Sequence, residues 1–254
     1  DVIYVNYEVR YSGTGRFYKD YVSFYQLESF VPTSETNYKI VVPNDLKLNY
    51  EVLNGEMELD VQEESEHKIY NWSQTNSEGL SRTEDLMPNE VDIAKYLHIS
   101  TISEWNDISN WYSDLVRSQI TSNTTVDEVF DSIFPDGFAQ LSNEAKAKAI
   151  YYYIMENINY SSVSFRQSGF IPQKPSKTIK TKLGDCKDVS TLFVTLAQKA
   201  DLESSLVLVL TSDNGMNALR LPSQNFNHCI VKTNIDAKDV FLELTNKYLP
   251  FGAL

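Results

Sequence analysis

Cysteine is nearly absent: Cys186 and Cys229 are the two in the chain, too few for a disulfide framework. The three histidines, His67, His98 and His228, are scattered, and neither His-Glu-x-x-His nor Cys-x-x-Cys occurs. Ser212-Asp213-Asn214-Gly215 lacks the length and spacing of a calcium loop, so no metal site is expected. A Gly-x-Ser-x-Gly elbow and a phosphate-cradling glycine loop are also missing, which speaks against a serine hydrolase and a nucleotide-binding enzyme, and no cofactor is expected. Basic residues are outnumbered, 22 Lys and Arg against 35 Asp and Glu, for a formal charge of −13. That balance excludes nucleic acid as a partner and disfavours an anionic membrane surface. It does not by itself indicate a cationic substrate, because acidic surfaces often serve solubility alone. No apolar run is long enough to cross a bilayer, and no signal peptide begins the chain. The sequence starts abruptly in a strand-like run without an initiator Met and reads as a fragment of a longer polypeptide.

What is present is an ordered, aromatic-rich chain. Its 254 residues are 42% hydrophobic, with 16 Tyr, 12 Phe and 3 Trp, enough for one large core or two modest ones. Up to about residue 98 the apolar pattern has period two. Ile3, Val5, Tyr7, Val9 and Tyr11 form one stripe, and Phe17–Tyr25, Tyr38–Val42, Leu46–Val52, Met57–Val61 and His67–Trp72 are further strand candidates. Asn54-Gly55 between two of them is the best local hairpin signal. From about residue 99 the period changes to 3.6. Thr101-Ile102-Ser103-Glu104 has the form of a capping box ahead of Trp105, Ile108, Trp111, Tyr112 and Leu115. Val126, Val129, Phe130 and Ile133 mark a second helix stopped by Pro135-Asp136-Gly137, and Ala149, Ile150, Tyr153, Ile154 and Ile158 a third. A polar loop, the helix after Cys186 and the apolar strand Leu206–Leu210 follow. The expected fold is α+β in two domains: an antiparallel, sandwich-like β domain over 1–98, part of a larger N-terminal domain, and an α/β core with an antiparallel sheet over 99–254.

Chemistry concentrates around Gly184-Asp185-Cys186-Lys187-Asp188. Val189, Leu192, Phe193, Leu196, Ala197 and Ala200 continue from Cys186 with helical spacing. Asp185 is a good N-cap, which sets Cys186 in the first turn, where unpaired N–H groups and the helix dipole favour a thiolate. Asp185 and Asp188 read as cap and first-turn charges rather than catalytic acids, and their charge opposes the dipole. His228 opens the alternation of Asn227-His228-Cys229-Ile230-Val231-Lys232, and Val240-Phe241-Leu242-Glu243-Leu244 follows a polar turn. That hairpin brings Glu243 beside His228, as cross-strand neighbours lie about 5 Å apart. Cys186 as nucleophile, His228 as its partner and Glu243 as the orienting acid then make a relay. Asn246 or a water is the alternative orienter. If His228 faces Cys186, alternation turns Cys229 away as a free, buried thiol. The backbone N–H of Cys186 is the expected oxyanion donor, with the Gln173 amide a weaker candidate. The loop from Asp213 to Asn227, carrying Asn217, Arg220, Gln224 and Asn225, is expected to border the cleft and contact substrate.

Gly-Asp-Cys-Lys-Asp opening a helix, Phe-Asn-His-Cys-Ile-Val on a strand and Phe-Leu-Glu-Leu-Thr on the next resemble the bacterial transglutaminase-like superfamily. Ile150-Tyr151-Tyr152-Tyr153-Ile154 with Ile158-Asn159-Tyr160, Pro172–Ile179 and Tyr248-Leu249-Pro250-Phe251-Gly252 extend the likeness. Glu84-Asp85-Leu86-Met87-Pro88 and Trp105–Tyr112 resemble envelope proteins that join this core to an N-terminal β domain of unknown function. The resemblance implies a papain-like Cys-His-Asp core and a periplasmic or cell-envelope setting; the family has Asp where this chain has Glu243. It implies a cysteine enzyme acting on an amide of a protein, peptide or small molecule. Water as acceptor makes it a peptidase or amidase, and an amine makes it a transamidase. Two other readings stand beside it: a catalytically inactive module kept for binding or scaffolding, and a β domain that docks a protein or glycan while the thiol core is structural.

Overall fold

The computed structural model describes residues 2–10, 13, 15–81, 86–162 and 169–254. Tyr11 of the N-terminal stripe and Glu84-Asp85 lie outside them. The elements run β1 (Val22–Gln26), β2 (Thr33–Pro43), β3 (Asn49–Leu53), β4 (Glu58–Glu63), β5 (His67–Ser77), α1 (Glu90–Ile93), β6 (Tyr96–Ser100), α2 (Trp105–Arg117), α3 (Thr124–Ile133), α4 (Asn143–Asn157), β7 (Asn159–Tyr160), α5 (Pro175–Thr181), β8 (Leu183–Gly184), α6 (Cys186–Lys199), β9 (Ser204–Val209), β10 (His228–Ile235) and β11 (Lys238–Leu242). The fold is α+β with antiparallel three-stranded sheets. Compact units comprise Asp1–Trp111 with Asp213–Gln224, and Tyr112–Ser212 with Asn225–Leu254. The division therefore falls inside α2 rather than near residue 98, where the apolar period changes.

The first unit holds two antiparallel sheets, ordered β1-β6-β3 and β2-β5-β4. One core takes side chains from both: Leu97 and Ile99 of β6, Val42 of β2 and Trp72 of β5, with Val52 and Leu59 packed against it. Central strand β6 is buried along its whole length, so it shows no alternation in sequence. Asn54 (φ 57) and Gly55 (φ 158) do turn the chain. Yet the expected hairpin does not form, because β3 pairs with β6 and β4 with β5. The Asn54 amide instead donates to the carbonyls of Val91 (2.8 Å) and Ala94 (2.6 Å), fastening the turn to α1. Thr101 also departs from its expected capping role. Its hydroxyl accepts the Tyr21 N–H at 2.8 Å and lies 3.1 Å from Asp20, which ties β1 to the end of β6. Residues 2–10 form no strand, and Val2, Ile3, Tyr4, Val5, Tyr7 and Val9 are exposed. A period-two stripe specifies a face to bury, and no described strand pairs with it.

The second unit is built around α6. Every residue from Cys186 to Ala197 is buried, an all-round burial that only a central helix meets. Val189, Leu192, Phe193 and Leu196 share a core with Ile150, Tyr151 and Ile154 of α4, Val126 and Phe130 of α3, and Val231, Ile235 and Leu242 of the sheet β11-β10-β9. Asn123 and Ser142 cap α3 and α4 by accepting N–H bonds at 3.2 Å each. The segment before Cys186, expected as a polar loop, contains α5. Pro175 stands at its first turn, where the missing N–H costs nothing, and Lys182 ends it in the left-handed region (φ 55). Replacing Leu192, fully buried, by Ala should destabilise the chain by about 2–5 kcal/mol. Leu141→Ala, at an exposed position, should cost far less. Urea denaturation of the two variants measures the difference.

Candidate functional site

The start of α6 is fixed by reciprocal hydrogen bonds. The Asp185 carboxylate accepts from the N–H groups of Lys187 and Asp188, both at 3.2 Å, and the Asp185 N–H donates to Asp188 at 3.0 Å. The approach is equally tight. β7 and β8 pair in parallel, with Ser161 N–H on the Gly184 carbonyl at 2.8 Å. A Cβ on Gly184 would stand 3.0 Å from the Asp188 Cβ and 3.1 Å from the Thr178 methyl, so close approach rather than an unusual φ explains the glycine. Lys187, 2% exposed, forms an ion pair with Asp185. This buried cation offsets one of the two acids next to the thiol, a role its place in the sequence does not reveal.

β10 and β11 form the expected hairpin, closed by Asp236 and Ala237 with φ of 52° and 64°. Its last paired rung is Val231↔Leu242. Glu243 lies one residue past β11 and reaches His228 diagonally, not as a direct cross-strand neighbour. The contact is short: His228 Nε2 lies 2.7 Å from Glu243 Oε2, with both side chains 14% exposed. Cys186 lies close enough to the ring to interact with its charge. Burial alone would lower the His228 pKa. Interaction with the Cys186 thiol and with the hydrogen-bonded Glu243 carboxylate outweighs burial and raises it to about 10. Glu243 moves the other way: burial would raise its pKa, but the bonds to His228 and Thr245 hold it below the ordinary carboxylate value. Thr245 donates to Oε1 from its N–H (2.7 Å) and its hydroxyl (2.6 Å).

The sheet side of Cys186 differs from expectation. Cys229 does not stand apart: the two thiols share one small apolar cluster with Phe170, Leu206 and Leu208, and both remain free. Alternation separates His228 from Cys229 along β10, but both lie at its first rungs, so a helix-tip residue meets both. Burial raises the Cys229 pKa to about 12. The Tyr112 phenol is likewise raised, by burial and then by Cys229.

The other candidates are placed differently. Gln173 donates its side-chain N–H groups to Asp188 and to the Leu183 carbonyl, both at 3.0 Å, so both of its amide hydrogens serve the approach loop instead of an oxyanion. Gln224 belongs to the first unit, where it lines a cavity of about 470 Å³ with Phe17, Tyr18, Tyr21 and Trp111. Most of its loop belongs there too. Asp92 accepts from the N–H groups of Met216 and Asn217 (3.0 Å each), and Arg220 pairs with Glu51 at 2.8 Å. Asn225 is exposed, three residues before His228. Asn246 accepts the Tyr248 N–H at 3.0 Å within its own turn.

Residues 137–240 match the Transglutaminase-like superfamily, and residues 1–80 match a domain of unknown function (DUF3857). The chain carries a transglutaminase-like domain. A crystal structure of a candidate protease from Parabacteroides distasonis ATCC 8503 is similar over 91% of this chain and 44% of its own, with a TM-score of 0.61 at 16% identity. The chain thus spans less than half of that relative. A candidate cysteine protease from Cytophaga hutchinsonii (12% identity, 89% and 75% of the two chains) and a TGase (12%, 78% and 46%) give TM-scores of only 0.36 and 0.37. No curated protein matches. No described helix is long and apolar enough to cross a membrane, and no described cluster of three or more His, Cys, Asp or Glu could hold a metal ion.

The paired shifts around the transglutaminase-like site make stability depend on pH. His228 is raised, so its contribution is full below about 6.5 and is lost as pH rises through about 10. Glu243 is depressed from 4.5, so its contribution is full above that value and is lost as pH falls. The urea midpoint of wild type should therefore exceed that of Glu243→Gln by most at about pH 5–6, and the gap should narrow toward pH 10. Midpoints measured across that range check the sign.

Proposed function

We propose that this protein is a cysteine-dependent enzyme acting on amide bonds through a thioester. The observation that carries the reading is the 2.7 Å contact between the His228 ring and the Glu243 carboxylate, with Cys186 close enough to act on the ring's charge. His228, charged up to about pH 10, pairs with the Cys186 thiolate while Glu243 fixes the ring and balances its charge. The thiolate attacks the carbonyl carbon of a bound amide. The oxyanion that forms meets the backbone N–H of Cys186, which at the first helical position has no partner within the helix. His228 then gives its proton to the departing amine, and the C–N bond breaks to leave an acyl-thioester. In the second half His228 takes a proton from the incoming acceptor. That acceptor forms the new bond to carbon, and the sulfur leaves as thiolate. Water yields a carboxylic acid and an amine yields a new amide. The name of the Parabacteroides relative favours a peptide amide as substrate.

Labelling with iodoacetamide at pH 7 tests the first requirement. Cys186 should be alkylated in the folded chain while Cys229, with its pKa of about 12, stays unmodified in the same peptide map. Glu243→Gln should slow alkylation roughly tenfold or more, and Glu243→Asp much less, because the role is orientation and charge. Mass spectrometry after incubation with a panel of glutamine-containing and other peptides should show an acyl adduct on Cys186 that Cys186→Ser abolishes. Equal labelling of both thiols with no adduct would instead favour the binding-module reading.

A further inference from the structure

Past its last paired rung, Val231↔Leu242, the hairpin no longer dictates where side chains point. Continuing the register would set Thr245 opposite His228, leaving Glu243 to reach the ring at a slant. A glutamate has one more rotatable bond than an aspartate, hence more ways to miss. Its backbone is held from α4: the Tyr151 hydroxyl lies 3.1 Å from the Glu243 carbonyl and 2.8 Å from that of Leu249. The carboxylate is held separately. Thr245 gives Oε1 two hydrogen bonds, from N–H at 2.7 Å and from Oγ1 at 2.6 Å, and Oε2 is left for the ring at 2.7 Å. Asn246, the other polar side chain nearby, is engaged with the Tyr248 N–H.

We infer that Thr245 is a positioning residue of this site: by binding one oxygen of Glu243 twice, it aims the other at His228 and so lets the longer acid serve. This rests on the Cys186–His228–Glu243 reading above, although its test does not. A carboxylate already bonded at one oxygen has few orientations left, so the backbone and hydroxyl of one residue do what a shorter side chain would do by reach alone. The hydroxyl is the separable part. Removing it leaves the N–H, which continues to satisfy Oε1 but no longer fixes the carboxylate plane.

The readout is the titration of His228, followed by ring nitrogen resonances in the whole chain. The ionisable groups around this ring are Cys186 and Glu243, with Tyr151 and Tyr160 close to the carboxylate. Thr245→Val keeps the shape and removes the hydroxyl. The His228 midpoint should fall by about one pH unit as the carboxylate turns away, while Thr245→Ser should restore most of it. Thermal stability, by contrast, should be similar for Val and Ser. An unchanged midpoint in Thr245→Val, or a Ser variant as low as Val, overturns the inference. If Val does not fold, Thr245→Ala compared with Ser gives the same decision. Failure of the enzyme reading is seen separately: wild-type Cys186 would form no adduct, whatever Thr245 does to the ring.

Discussion

Asp188 gathers three hydrogen bonds on one buried carboxylate: the Asp185 N–H (3.0 Å), the Gln173 N–H (2.8 Å) and the Gln173 side chain (3.0 Å). The segment before α5, the N-cap and the first turn of α6 are thereby joined at a single group. Burial makes its charge costly and raises its pKa even though the bonds from Gln173 and Asp185 work against that. The cost is accepted where the chain must turn sharply enough to present Cys186 at a helix start. The same turn has no space for a side chain at 184 and buries a lysine against the N-cap acid. Gln173 thus has a structural explanation, and it is the same one that explains the acids flanking Cys186.

Those parts of the site that depend on short-range pattern were legible in the sequence. The helical spacing after Cys186 gives α6, the Asp185 cap gives its start, and alternation after Asn227 gives β10. The hairpin followed from the polar run around Asp236, although its register differs from a direct His228–Glu243 pairing. What could not be read depends on partners far away in sequence. β6 is buried on both faces and carries no period. Asn54-Gly55 turns the chain, but which strand each arm joins is decided by β6 and β5. Thr101 has the spacing of a cap, and its hydroxyl is claimed by Tyr21 and Asp20 instead. Lys187 and Thr245 sit inside the Gly-Asp-Cys-Lys-Asp and Phe-Leu-Glu-Leu-Thr runs, but spacing alone does not show which group each one binds.

Around the sulfur, charge is distributed unevenly. Toward the carboxylate stand a ring that keeps its proton to about pH 10 and an acid that keeps its charge. Toward the apolar cluster stand Cys229 and Tyr112, whose burial keeps both neutral throughout the physiological range. A neutral thiol packed against Cys186 adds polarisable volume and only a weak S–H donor.

The burial of α6 along its first twelve residues, Cys186 to Ala197, has a consequence for how this molecule would fail. Catalytic groups commonly stand on loops that open by local fluctuation, and those sites lose shape before the rest of the fold does. Here the thiol is borne on the element with the most packing around it, whose amides exchange only when the surrounding core comes apart. Gradual wear at the periphery, such as a frayed end or a nicked loop, would leave the geometry at the sulfur intact. Its loss would come abruptly, together with the unit that encloses it.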